Sequence, residues 1–533
     1  MGTVGMRRRD FLKHAGCAVV GAGAHSLFGL GSSSVSAETY AKFDRTFQLD
    51  LADMALDLAR RAGVGYADIR VGREEQEFVS TREERLEALN SAFALGFGVR
   101  VLVNGSWGFA ASEVLGEDEV KRVVALAVEN AEANSLIQTT KIVLEDLPAY
   151  QQDWIMPLKI DPFTIEPADK AAKLLSINAA ALKAGAQYCS STIYTVREER
   201  LFANSNGSRI NQTRLRCHPS FDVTAIDKQS GTFASRASLA APRGSGWEYV
   251  DAHDFVAEAA LAAEQARQKL AAKPVETRKY DLVLDPTHLW LTIHETVGHP
   301  TELDRALGWE ANYAGTSFVT PDKLGKLQFG SPLMTIMADR SQEGGLATVA
   351  FDDDGVRTAG AEFPIIQNGV FQNYQMAIGQ AQLIGRERSN GCAYSAGATA
   401  FPIQRMPNIS LQPNPAPASL DDLIADVKDG IYVVGNGSWS IDQQRYNFQF
   451  GGQLFYEIKN GKRGDMLRDV AYQGNTLEFW NALDGLGDKS TYFLGGTFNC
   501  GKGQPGQAAP VSHGAVPARF RQIDVLNTER KDI

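Results

Sequence analysis

The segment "DPTHLWLTIHETVGHP" (Asp285 to Pro300) constrains the fold of this chain more than any other. Asp285 can act as N-cap, with Pro286 at the first helical position, where a missing N–H costs nothing. Leu289, Trp290, Leu291, Ile293 and Val297 add apolar side chains, so a helix is predicted directly after the short buried strand in "YDLVLDP". That helix runs into "HETVGHP", which looks like the zinc signature H-E-x-x-H with one residue too many. His294 and His299 are five apart, and at about 100° per residue a regular helix would place them about 140° from each other. The neighbours favour a departure from regular helix. Gly298 costs about 1 kcal/mol relative to Ala, and Pro300 disfavours the α conformation at His299. A π-type turn, with its i to i+5 bond, would bring the two imidazoles back into line.

Two histidines do not make a catalytic zinc site; a third protein ligand is needed, leaving one position for water. Glu302 and Asp304 are near in sequence, and Cys500 in "TFNCGKGQPGQ" is far along the chain. The two acids suit partners of ligands, or salt-bridge roles, better than direct ligation. Cys392 in "NGCAYSAG" is a possible substitute thiol. Asp352-Asp353-Asp354-Gly355 lacks the spacing of a calcium loop and reads as a turn. His218, His253, His288 and His513 are isolated and read as structural. "GTFNCGKG" (Gly496 to Gly503) imitates a phosphate loop, but Gly503 stands where the magnesium hydroxyl belongs and "GQPGQAAPVSHG" is a poor helix, so nucleotide binding is rejected. A cysteine peptidase pairing Cys500 with His299 is chemically feasible, yet it leaves His294 and Glu295 without a use.

The remaining chain is of ordinary globular composition, 44% hydrophobic and 22% charged over 533 residues, enough for two or three domains with real cores. Residues 1–37 are set aside as an export signal. Arg8-Arg9-Asp10-Phe11-Leu12-Lys13 resembles the twin-arginine motif R-R-x-F-L-K, an apolar stretch follows, and "VSA" ends it with small residues. This predicts bacterial origin and a periplasmic or exported protein, with the signal cleaved rather than retained as an anchor and no membrane attachment afterwards. The net charge of −10 and the absence of a basic stripe argue against nucleic acid as a partner. Cys189, Cys217, Cys392 and Cys500 are too few for a disulfide scaffold, though one pair could form.

Helical spacing from Asp50 and over "EDEVKRVVALAVENAEANS" alternates with strand-like sequence in "YADIRVGREEQEFVSTREERLEAL". Gly96 to Ser112 is a hairpin candidate turning at Asn104-Gly105. Asp251 can cap a long alanine-rich helix. Asn368-Gly369, Asn436-Gly437 and Asn460-Gly461 punctuate β-type sequence. The predicted fold class is α+β, with a mixed α/β N-terminal region over residues 38–275. A β-rich C-terminal domain, residues 276–533, carries the HExxxH helix near its start.

"HETVGHPTELD" and "NCGKGQPGQ" together resemble the H-E-x-x-G-H-x-x-E-x-D and C-G-K motifs of the TldD/PmbA family of zinc metallopeptidases. "VAFDDDGV", "GRERSNGCAYSAGATAFPIQRMPN" and "GIYVVGNGSW" fall between them in family order, and "YADIRVG…GFGVRVLVNGSWGFA" is similar too. The resemblance implies Zn²⁺ held by His294, His299 and Cys500, with Glu295 as general base toward a water attacking peptides or unfolded segments. It also implies a heterodimer with a PmbA/TldE-type subunit lacking the zinc motif; a homodimer is the alternative. The export signal departs from the family, many of whose members look cytoplasmic. The rivals are a non-enzymatic exported assembly factor with structural zinc, closed by a fourth protein ligand such as Glu302, and an inactive paired subunit.

Overall fold

In a computed structural model, residues 43–529 are described; the segment read as an export signal, residues 1–37, lies outside them. The chain is α+β. Its N-terminal part is an antiparallel sheet in the order Ser106–Ser112, Arg85–Val103, Tyr66–Arg82, Tyr188–Asn204, Arg209–Ile226. Gln151–Ile155 adds in parallel to one end of the Arg209–Ile226 strand, and Phe233–Ala237 adds to the other. Asn104 and Gly105 both have positive φ, the two-residue turn that matches strand twist and pairs Val103 with Ser106.

Helices cover one face of this sheet because their apolar residues recur at helical spacing. Arg45–Arg61 buries Leu51, Ala52, Ala55, Leu56 and Ala59, and Glu117–Ser135 buries Val120, Val123, Val124, Ala127 and Ala131, against Ile69, Val71, Phe97 and Val99. Pro167–Lys183 and Phe255–Ala271 cover the other half. The cap of Phe255–Ala271 is Asp254, whose carboxylate accepts from Ala257 N, rather than Asp251. A separate short helix, Trp247–Ala252, takes up Asp251, which pairs with Lys173 instead.

The opposite face is charged, because period 2 puts Asp68, Arg70, Arg100, Glu198, Arg200 and Arg214 there. It packs on the C-terminal part. Asp354 binds Arg100 at 2.7 Å and Asp353 binds Arg200 at 2.5 Å, while Asp352 accepts from the backbone of Asp354, Val356 and Ala393. The acidic triplet is thus a turn whose carboxylates are committed to arginines and N–H groups.

In the C-terminal part, strands Asp429–Ile441, Arg278–Leu284, Ala518–Asn527, Val470–Asn475 and Asn447–Lys459 pair in that order, and the last returns to the first, closing a ring. Asn368-Gly369 and Asn460-Gly461 turn with positive φ at both residues. Asn436-Gly437 does not turn: it lies inside the strand Asp429–Ile441, at a break in its register, and the positive φ belongs to Gly435. A large apolar core that includes Trp480, Phe520, Tyr472 and Phe450 fills the region and holds the motif helix.

Candidate metal centre

The strand Arg278–Leu284 delivers the chain to Asp285, whose carboxylate accepts from Thr287 N and caps the helix Pro286–Ile293. Residues His294–Gly298 then form one π turn, in which His299 N–H bonds to His294 O. His299 itself is α-helical (φ −62°, ψ −44°), so the expected exclusion of that conformation before Pro300 does not hold. In a regular helix the Pro300 ring would meet the carbonyl four residues back, and the widened turn moves that carbonyl away. The chain leaves helical geometry at Glu302 (ψ 122°) instead. Carbonyls released by the wide turn find other donors: Thr301 Oγ1 donates to Val297 O at 2.7 Å and Gln375 Nε2 to Gly298 O at 2.6 Å. Gly298 is also helical, at φ −56°. Its lack of a side chain serves packing, since a Cβ there would lie 2.7 Å from Met406 Sδ.

The turn places the two rings with centroids 4.7 Å apart and 75° between planes. Cys500 arrives on Phe493–Lys502, hairpin partner of Gln507–Ala515, just after a register break at Thr497. Its Sγ lies 3.7 Å from His299 Nε2, and the ligand atoms of His294, His299 and Cys500 all lie within 4.8 Å of one another. The described residues hold this one group of metal-ligating side chains. Cys392 is elsewhere, its thiol on Asn390, and the four cysteines are free.

Both imidazoles are oriented from behind. His294 Nδ1 lies 2.7 Å from His513 Nε2, and His513 Nδ1 lies 3.1 Å from Ile409 O. Because that carbonyl can only accept, His513 carries its proton on Nδ1 and accepts from His294, which leaves His294 Nε2 as the atom available to a metal. His299 Nδ1 is 2.9 Å from Glu302 Oε2, leaving its Nε2 toward Cys500. Glu302 is therefore a ring-orienting partner and not a ligand. Lys502 stands behind it, ion-paired with Glu302 at 3.1 Å, Asp304 at 2.8 Å and Glu310 at 3.1 Å. Burial opposes the charge on Glu302, but Lys502 and then His299 outweigh it and hold its carboxyl well below the usual range. Burial lowers the pKa of His294 and takes that of His299 well below ordinary, so both rings are neutral and available as ligands. Burial also pushes the Cys500 thiol up to about 11.

Glu295 faces the same space and is 5% exposed; its Oε2 is ion-paired with Arg445 Nη1. Sequence spacing could not disclose His513, Arg445 or the multiple pairing of Lys502, because each comes from a separate strand or turn. Among the described residues the other histidines keep structural places: His288 bonds Gly435 O and Tyr472, His253 bonds Glu258, and His218 stacks on Phe498.

Residues 277–525 match the PmbA/TldA metallopeptidase C-terminal domain, 67–131 match domain 1 and 160–271 the central domain. The chain is built from TldD/PmbA family metallopeptidase domains. The candidate metal-binding cluster, Glu295 and the orienting partners all fall within the match to the family's C-terminal domain. A metalloprotease of Methanocaldococcus jannaschii is 29% identical over 84% of this chain and 94% of its own length. A Saccharolobus solfataricus protein named zinc metalloprotease TldD homolog is 22% identical over 88% and 98%. The crystal structure of TldE from Thermococcus kodakarensis shares the fold, with a TM-score of 0.68 at 16% identity over 90% of this chain and 99% of that one.

Proposed function

We propose that this chain is a zinc-dependent peptidase acting on peptides or unfolded segments, with zinc held by His294, His299 and Cys500. The observation that carries the reading is the convergence of these three side chains with Glu295 at one π turn. The donor set fits the ion. Tetrahedral Zn²⁺ with bonds of about 2.0–2.3 Å needs donors about 3.3–3.6 Å apart, and the Cys500–His299 separation is already 3.7 Å. Two neutral imidazoles and a thiolate suit Zn²⁺, and a bound cation reverses the rise that burial imposes on Cys500. Zinc, when bound, supplies an activated water near neutral pH and polarises a carbonyl. Glu295 takes the proton of the attacking water and returns it to the leaving amine. His513 and Glu302 keep the ligand rings from rotating.

A purely structural zinc would call for a fourth protein ligand, and Glu302, the acid considered for that place, already serves the back of His299. Metal analysis of the purified protein, with digestion of unfolded casein with and without chelator, tests the reading. Glu295→Gln should keep one zinc per chain and lose cleavage. Cleavage unaffected by that change or by chelator would refute it. The family and the TldE likeness support a heterodimer with a TldE-type subunit, to be sought by co-purification. The segment Arg8 to Lys13 supports export to the periplasm by the twin-arginine route, to be tested by fractionation before and after replacing Arg8 and Arg9 with Lys.

A further inference from the structure

We propose that Arg445 is a catalytic residue of this site, binding the oxyanion that develops on the attacked peptide carbonyl; this rests on the peptidase reading above. Arg445 sits in the turn between Asp429–Ile441 and Asn447–Lys459 and has φ +65°, a conformation that favours glycine. The turn is fastened on every side. Asp442 accepts from Tyr446 N at 2.8 Å and Asn447 N at 3.0 Å, and Thr476 Oγ1 donates to Arg445 O at 2.8 Å. Gln443 O and Gln444 O accept from Thr316 N and Phe318 N. A rigid, strained residue that nevertheless carries a long side chain aims that side chain at one place, the Glu295 carboxylate.

The guanidinium has five N–H donors in a planar fork. Nη1 is engaged by Glu295, while Nε is buried and has no partner. Arg405 and Arg305 also have a buried Nε without a hydrogen-bond partner. Their terminal nitrogens, however, are tied to the Cys500 and Gln507 carbonyls and to Glu310 and Ala314 O, and Lys502 to its three acids, so Arg445 is the cation whose fork rests on Glu295. A water deprotonated by Glu295 must lie about 2.6–3.2 Å from its carboxylate, and the carbon it attacks about 3–3.5 Å further on. A guanidinium already resting on that carboxylate reaches the carbonyl oxygen by a small swing. In the step, the water oxygen bonds to the carbonyl carbon and the C=O π pair moves onto oxygen, where Arg445 donates to it. The water proton goes to Glu295. When the C–N bond breaks, the C=O re-forms and that proton passes to the amine.

The test compares zinc-loaded wild type, Arg445→Gly and Arg445→Lys in calorimetric binding of two probes. One is acetylated, amidated tetra-alanine, and the other is its phosphinic analogue, which mimics the tetrahedral adduct. Gly suits φ +65°, which offsets part of the cost of leaving buried Glu295 unpaired, so that variant should stay folded and keep its zinc. Losing one oxyanion donor should weaken the phosphinic probe about 10²–10³-fold and the plain peptide by less than about threefold, with Lys restoring part of the loss. Equal losses for both probes would make Arg445 a ground-state binder, and no loss would reduce it to a brace for Glu295; either overturns the proposal. Wild type that fails to prefer the phosphinic probe would instead refute the peptidase reading, and that arm reads it alone.

Discussion

Replacing Lys502 by Met tests whether the buried acids behind His299 depend on one ammonium. Lys502 is fully buried, with three carboxylate oxygens 2.8–3.1 Å from its Nζ. Burial disfavours its charge, but Asp304, Glu302 and Glu310 outweigh burial and raise its pKa. Met keeps the length and removes the charge, leaving three buried acids with Arg305 as their chief counter-charge. Breaking a buried pair costs about 3–5 kcal/mol. Glu302 also orients His299, and losing such a partner lowers metal affinity about 10–100-fold. The pH dependence has a definite sign. Burial already raises the pKa of Asp304 and Glu310; removal of Lys502 raises these two further and lifts Glu302 from its depressed value in the folded state. An acid whose folded pKa is raised contributes stability that is present at low pH and is lost as pH rises through that value. The deficit of the variant should therefore be largest near pH 8 and shrink toward pH 5. Urea unfolding of wild type and variant at both pH values, in chelator, measures it. A loss below about 1 kcal/mol, or a deficit that grows on acidification, would refute the argument.

Zinc affinity should rise about tenfold per pH unit between about 7 and 9, because His294 and His299 are already neutral and only Cys500, at about 11 without metal, must give up a proton. Chelator competition reads this slope, and a flat profile would remove Cys500 from the ligand set. Burial lowers His288 from 6.5 to about 4, so its contribution of about 3 kcal/mol is present above pH 6.5 and lost as pH falls toward 4. His288→Gln should flatten that part of the stability profile. Gly495→Ala would put a Cβ 2.1 Å from Trp290 Cγ, and overpacking of about 1–3 kcal/mol should lower the melting temperature. Trp290 stacks on His513, so zinc affinity should fall with it.

Local physics was legible wherever one residue type carries one conformational consequence. Asp285 and Pro286 start the motif helix, Asn104-Gly105 turns its hairpin, and the five-residue spacing of His294 and His299 demands a π turn that the backbone does make. The same reasoning failed where context supplied a competing partner. Asn436-Gly437 stays in a strand because pairing with Asn447–Lys459 holds at Asn436 and resumes beyond the break at Trp439. Asp251 lost the cap to Asp254, nearer the true helix start. Pro300 did not evict His299 from helical geometry, because the wide turn had already moved the carbonyl it would strike.

The order of residues determined which side chains could bind a metal, how the turn bearing two of them must bend, and which faces would be apolar, since each follows from backbone sterics and periodicity within a short stretch. Tertiary structure alone decided what stands behind those side chains: His513 on His294, Lys502 among three acids, Arg445 on Glu295. These pairs lie 150 or more residues apart in the chain. Register in a hairpin and closure of a ring of strands bring them together, and no local periodicity encodes such closure.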